Sequence, residues 1–233
     1  MKHIIIASTS TVHGSGYLEY LLSELRIFFK HAQQILFIPY ARPGGISHDD
    51  YTNKAKEAFL KINKTVVGIH EFKNPVEAVA KAEAIFVGGG NTFVLTTQLY
   101  KNNIIEILQT AVKNGTPYLG TSAGSNICGL TIKTTNDMPI VYPPSFKALG
   151  LVPFNINPHY LDPDANSTHM GETRETRIKE FHHYNTPPVV GLREGSWLQV
   201  NGNTITLKGT LTARIFEYNK TPYELPPGSE IGF

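Results

Sequence analysis

Cysteine is almost missing from this chain: Cys128 is the single one in 233 residues. One thiol excludes an internal disulfide and a Cys-rich metal site, and it suits a cytoplasmic protein. An excess of charge of either sign is also lacking. Twenty-one Lys and Arg against nineteen Asp and Glu leave a net charge of +2, with no basic run to track phosphates, so nucleic acid is not an expected partner. Long apolar runs are absent as well. No stretch approaches the roughly 18 apolar residues of a membrane span, and Ile4-Ile5-Ile6-Ala7 meets Ser8-Thr9-Ser10 too soon for a signal peptide. Asn166-Ser167-Thr168 fits a glycosylation acceptor, but the N-terminus supplies no secretory route for it. Internal repeats and low-complexity tracts are missing too. What remains, 41% hydrophobic and 17% charged residues, describes an ordinary globular chain. Its length suits one α/β domain over residues 1–233.

Through the first two thirds, short apolar runs alternate with helical patterns, as expected of βαβ units that build a parallel sheet. Strands are predicted at 3–7, 34–38, 65–68, 84–87 and 117–120. Helical spacing covers Leu18, Leu21, Leu22, Leu25 and Phe28, then 93–100 and 104–112. Residues 131–170 are rich in Pro, Asn, Asp and Thr and are expected to be mostly loop with short strands, a length of loop that more often carries function than not. A helix is predicted over 172–182 and short strands over 188–192, 197–201, 204–208 and 211–216, with Asn201-Gly202-Asn203 as a hairpin turn.

Gly120-Thr121-Ser122-Ala123-Gly124 fits Gly-x-Ser-x-Gly, placed after a predicted strand and before a short helical run over 126–130. In such a nucleophile elbow the serine hydroxyl stands at a sharp strand-to-helix turn, and the N–H of the next residue, here Ala123, faces a developing oxyanion. A second glycine cluster, Gly88-Gly89-Gly90-Asn91-Thr92, ends the strand at 84–87. It lacks the Lys and the spacing of a phosphate cradle, so Gly90 is read as the second oxyanion donor. Of nine histidines, His159 is the candidate base, because Pro158 and Pro163 restrict the backbone on either side of it. His182-His183 read as surface residues, since neighbours on a helix face different ways. His13, His48 and His70, near strand or loop ends, are further residues that could line a site. The base needs an orienting carboxylate, and two candidates stand open: Glu194 after the strand at 188–192, and Asp137 in the loop that precedes His159.

Five segments taken together resemble one family. Phe37-Ile38-Pro39-Tyr40-Ala41, Gly88 to Phe93, Gly120 to Asn126, Asn157-Pro158-His159-Tyr160 and Gly171-Glu172-Thr173-Arg174 are similar, in order and separation, to the peptidase E family over residues 1 to about 215. The resemblance implies an α/β, flavodoxin-like fold of the class I glutamine amidotransferase type: a mostly parallel sheet with helices on both faces, followed here by short C-terminal β-strands. It also implies metal-free and cofactor-free hydrolysis of dipeptides with N-terminal aspartate, through an acyl-enzyme on Ser122 with His159 as base. Either Glu194 or Asp137 matches the third member, and the strand-end position favours Glu194. Amidotransferases of this fold carry Cys at the elbow; here Cys128 reads as an inert core thiol. Preference for aspartate calls for an arginine that grips the β-carboxylate by two hydrogen bonds. Arg174 is the first choice, then Arg42 and Arg177. The expected partners are small peptides, with no nucleic acid or membrane, in a monomer or homodimer. A cyanophycinase-like exopeptidase acting on β-aspartyl bonds and a non-catalytic binding protein on the amidotransferase-like fold are the alternatives.

Overall fold

A computed structural model describes every residue except 165, 167 and 169. In chain order the elements are β1 (His3–Ala7), α1 (Leu22–Phe28), β2 (Gln34–Ile38), α2 (His48–Leu60), β3 (Thr65–Gly68), α3 (Pro75–Ala80) and β4 (Ile85–Val87). Then come α4 (Thr92–Lys101), α5 (Ile105–Lys113), β5 (Tyr118–Thr121), α6 (Ala123–Asn126), β6 (Asn155–Pro158) and α7 (Arg174–Tyr184). The chain ends in strands: β7 (Val189–Leu192), β8 (Trp197–Asn201), β9 (Thr204–Lys208), β10 (Ala213–Phe216) and β11 (Tyr223–Leu225).

Seven strands form one sheet in the order β3-β2-β4-β5-β1-β8-β9. The first five run parallel, and β8 and β9 add on antiparallel as a hairpin that closes at Gly202-Asn203. Strands β3-β2-β4-β5 follow the doubly wound pattern, and β1 lies beyond β5 rather than in the centre. Both faces of the parallel part are covered, which explains why β1, β2 and β4 read as continuous apolar runs, whereas β8 and β9 alternate. Along β1, Ile4 and Ile6 join a core with α3, α4 and α5, while Ile5 and Ala7 join a second core with α1 and α2. Alternation of side chains across a strand produces that split.

Several elements depart from the sequence reading. Helix α2 carries no expectation, yet it is the longest helix described, capped by Ser47, whose hydroxyl accepts the Asp50 N–H, and it buries Tyr51, Ala55, Ala58 and Phe59. The C-terminal strands do not stay together. β7, β10 and β11 pair with β6 in a separate sheet of four, order β11-β10-β7-β6, with only β6–β7 parallel. Strand β6 comes from the stretch expected to be mostly loop. Helix α6 also begins earlier than expected, immediately after Ser122, and ends at Asn126.

Candidate active site

Ser122 follows directly on β5 with φ 53° and ψ −110°, a backbone conformation that costs a non-glycine residue on the order of 1–3 kcal/mol. Close packing imposes it. A Cβ on Gly120 would lie 2.4 Å from the Gly124 carbonyl oxygen, and one on Gly124 would lie 2.2 Å from that of Val87, so the motif glycines let α6 sit directly on the strand ends. Hydrogen bonds then lock the turn. The Ser122 N–H donates to Ala7 O (3.2 Å), the Ser125 hydroxyl lies between Ala7 O (2.6 Å) and Gly120 O (2.8 Å), and the Tyr118 hydroxyl donates to Gly124 O (2.7 Å).

His159 approaches from the other sheet, just past β6. Its Nε2 lies 2.8 Å from Ser122 Oγ and its Nδ1 lies 2.6 Å from Glu194 Oε1. A carboxylate at Nδ1 selects the tautomer that leaves Nε2 free to accept the serine proton. The imidazole is held from behind by its backbone, which adopts φ 54°. The His159 N–H donates to Ser8 Oγ (2.9 Å), and the fully buried Ser8 hydroxyl donates to Leu192 O (2.7 Å). Asn136 Nδ2 donates to Pro158 O, and the Tyr160 N–H donates to Leu192 O. Ser8 carried no expectation; its only sequence signal is its place directly after an apolar strand.

Asp137 lies in the same cleft but does not meet His159. Its Oδ2 accepts the Thr92 N–H at the start of α4 (2.7 Å) and the Thr135 hydroxyl (3.0 Å). Around these groups is a cavity of about 420 Å³ lined by Ser122, Ala123, His159, Glu194, Thr92, Asp137 and Arg174, among others. Arg174, the first residue of α7, has a buried Nε without a hydrogen-bond partner among the described residues. Burial lowers its pKa, Arg177 beside it acts in the same direction, and the Asp137 charge opposes both. Arg42 and Arg177 are not among the cleft residues. Arg42 is exposed and stacks 5.1 Å above the Tyr51 ring, and Arg177 is exposed on α7.

As the first residue of α6, Ala123 has an N–H with no intrahelical acceptor. The loop at 88–90 abuts the serine, since a Cβ on Gly89 would lie 2.9 Å from Ser122 Cβ. Gly90 has φ 146° and sits against Ala41 O, which accepts the Asn91 N–H (2.7 Å), while the Tyr51 hydroxyl donates to Gly89 O (3.2 Å). Cys128 is fully buried and its thiol is pushed up to about 12 by burial, so it is no nucleophile at neutral pH. His182 is half-buried, with its imidazole on the Pro187 carbonyl, and His183 is exposed. His48 and His70 meet with tilted rings, their centroids 5.4 Å apart, outside the cleft. Among the described residues no group of three or more His, Cys, Asp or Glu could hold a metal ion, and no helix is long and apolar enough to cross a membrane.

The sequence profile of Peptidase family S51 matches residues 4–208. The chain belongs to that family. Among S51 relatives, a Streptomyces coelicolor protein named "Peptidase E" is 48% identical over 98% of this chain and 93% of its own length. A Drosophila melanogaster protein named "Probable alpha-aspartyl dipeptidase" is 45% identical over 100% of this chain and 97% of its own. The crystal structure of a peptidase from an acI-B1 Actinobacterium superposes with a TM-score of 0.72 at 14% identity, covering 100% of this chain and 97% of that one, which shows a shared fold.

Proposed function

We propose that this S51 protein is a serine dipeptidase that cleaves Asp-X dipeptides through an acyl-enzyme on Ser122. The observation that carries the reading is the unbroken line Ser122 Oγ, His159, Glu194, with contacts of 2.8 and 2.6 Å, opening on a cleft lined by Arg174, whose Nε has no partner among the described residues. His159 Nε2 takes the Ser122 proton as Oγ attacks the scissile carbonyl carbon. Glu194 holds Nδ1–H and stabilises the imidazolium that forms. The N–H groups of Ala123 and Gly90 receive the oxyanion. The imidazolium protonates the departing amine; water, deprotonated by the same nitrogen, then frees aspartate and restores the serine. Asp137, with Oδ2 committed to Thr92 and Thr135, has no part in this relay.

Arg174 supplies the preference for aspartate, since its guanidinium lines the cleft and is suited to a β-carboxylate. The test is steady-state kinetics on Asp-X, Asn-X, Ala-X and β-Asp-X peptides. Ser122→Ala should lose about 10⁴-fold or more in kcat while its melting temperature holds. Arg174→Ala should bring the kcat/KM ratio of Asp-X over Asn-X down by about 30-fold or more. Wild-type turnover of β-Asp-X alone would replace this reading with the cyanophycinase-like one.

A further inference from the structure

Two carboxylates line the cleft, and only one serves the proton relay: Glu194 is bound by His159 Nδ1, whereas Asp137 is not. Asp137 is held in one orientation by the Thr92 N–H and the Thr135 hydroxyl, and both of those bonds fall on Oδ2. Oδ1 receives no hydrogen bond from any described residue. Arg174 lines the same cavity, with its Nε buried and without a partner among the described residues. The two are close enough for the Asp137 charge to act on the guanidinium, yet among the described residues no ion pair joins them. The cleft therefore keeps one negative and one positive group side by side, each with bonding capacity to spare.

An N-terminal aspartate carries the complementary pair, an α-ammonium and a β-carboxylate on adjacent carbons. If Arg174 takes the carboxylate, the ammonium needs an acceptor with a free lone pair, and Asp137 Oδ1 belongs to the cleft carboxylate that the relay does not use, whereas Glu194 is engaged with His159 through Oε1. We infer that Asp137 binds the substrate's α-ammonium and so limits cleavage to the first peptide bond. The inference rests on the dipeptidase reading above. An acylated or extended N-terminus would set a neutral amide against this carboxylate and forfeit a charge-assisted hydrogen bond, which is one of the stronger polar contacts a site can make. This assigns Asp137 a substrate contact in place of the orienting role left open from sequence.

The inference is tested with Asp-X and the matching succinyl-X, which differs only by hydrogen in place of the amino group. Wild type should favour Asp-X by about 100-fold in kcat/KM, the scale set by truncating one partner of a buried charge pair. In Asp137→Asn, whose amide oxygen still accepts the Thr92 N–H, that preference should fall to within about 3-fold. Asp137→Glu, which keeps the charge on a longer arm, should recover part of it. A residue that merely caps α4 would slow both substrates together and leave the ratio intact. That result, or a wild-type ratio near one, overturns the assignment while the dipeptidase reading stands. Absence of Asp-X hydrolysis in wild type overturns both.

Discussion

The two sheets hold their parts of the site by different means. On the seven-stranded sheet, Ser122 is fixed by backbone: a strained turn, glycines pressed against carbonyl oxygens, and a short helix seated on the strand ends. On the four-stranded sheet, His159 and Glu194 are fixed by side-chain hydrogen bonds, and they remain 34% and 45% exposed. Packing determines position where the chain is dense, and polar contacts do so where solvent reaches in. The first arrangement tolerates almost no change of shape, whereas the second depends on chemistry that one atom can alter.

The sharpest way to break the contrast is Glu194→Gln, which keeps the shape and removes the charge. It should lower kcat by about 10³ to 10⁴-fold, as loss of the orienting acid does in triads generally. The melting temperature should hardly move, because the pair is partly exposed. A larger loss of kcat from Asp137→Asn than from Glu194→Gln would transfer the role to Asp137.

Ser8→Ala comes next, because Ser8 is where the two sheets share a hydrogen-bond network. It strands the His159 N–H, while the Leu192 carbonyl keeps the Tyr160 N–H, and should cost about 1–3 kcal/mol of stability. As the imidazole loses its backing, kcat should fall roughly 10-fold. Denaturant melts and kinetics on the same preparation separate the two effects. An unchanged kcat would show that β6 and β7 alone hold His159.

The smallest effect concerns acid. Arg193, at the end of β7, binds Asp162 at 2.9 and 2.6 Å and Glu224 at 2.8 and 3.0 Å. Its hydrogen bond holds Asp162 below the usual carboxylate range; for Glu224, burial pulls upward but the bonds from Arg193 and Thr212 outweigh it. Because both carboxyls titrate lower when folded, their contribution is present above the unfolded value near 4 and fades as pH falls through the folded values. Arg193→Ala should therefore flatten the loss of stability below about pH 4, by under about 1 kcal/mol because the partners are exposed. Melts at pH 3 and pH 7 measure it.

The first sheet was largely legible because its signals are local. Ile4-Ile5-Ile6 and Leu36-Phe37-Ile38 are apolar on both faces, and the Gly-x-Ser-x-Gly turn has its reason for glycine within its own neighbourhood. Helix α2 escaped notice because its buried face mixes Thr52 and two alanines with Tyr51 and Phe59, leaving a weak apolar stripe; the Ser47 and Asp50 cap was the available signal. The second sheet was not legible, since β7 passes over its neighbour β8 to pair with β10, a long-range choice that no local pattern encodes. The two carboxylates stayed open for a similar reason. What separates them is that Asp137 meets Thr92, 45 residues away in sequence.

The buried hydroxyl of Ser8 also ties the first strand made to a part of the chain made late. Residue 8 is made almost first, yet its two partners, His159 and Leu192, belong to a sheet that is complete only once β10 and β11 have been added. A nascent chain that has folded β1 to β5 already owns the strained serine, but with no imidazole beside it that serine is a weak nucleophile. On the proposed mechanism, turnover therefore requires the strands made last, because Ser122 has its base only once His159 is seated beside it.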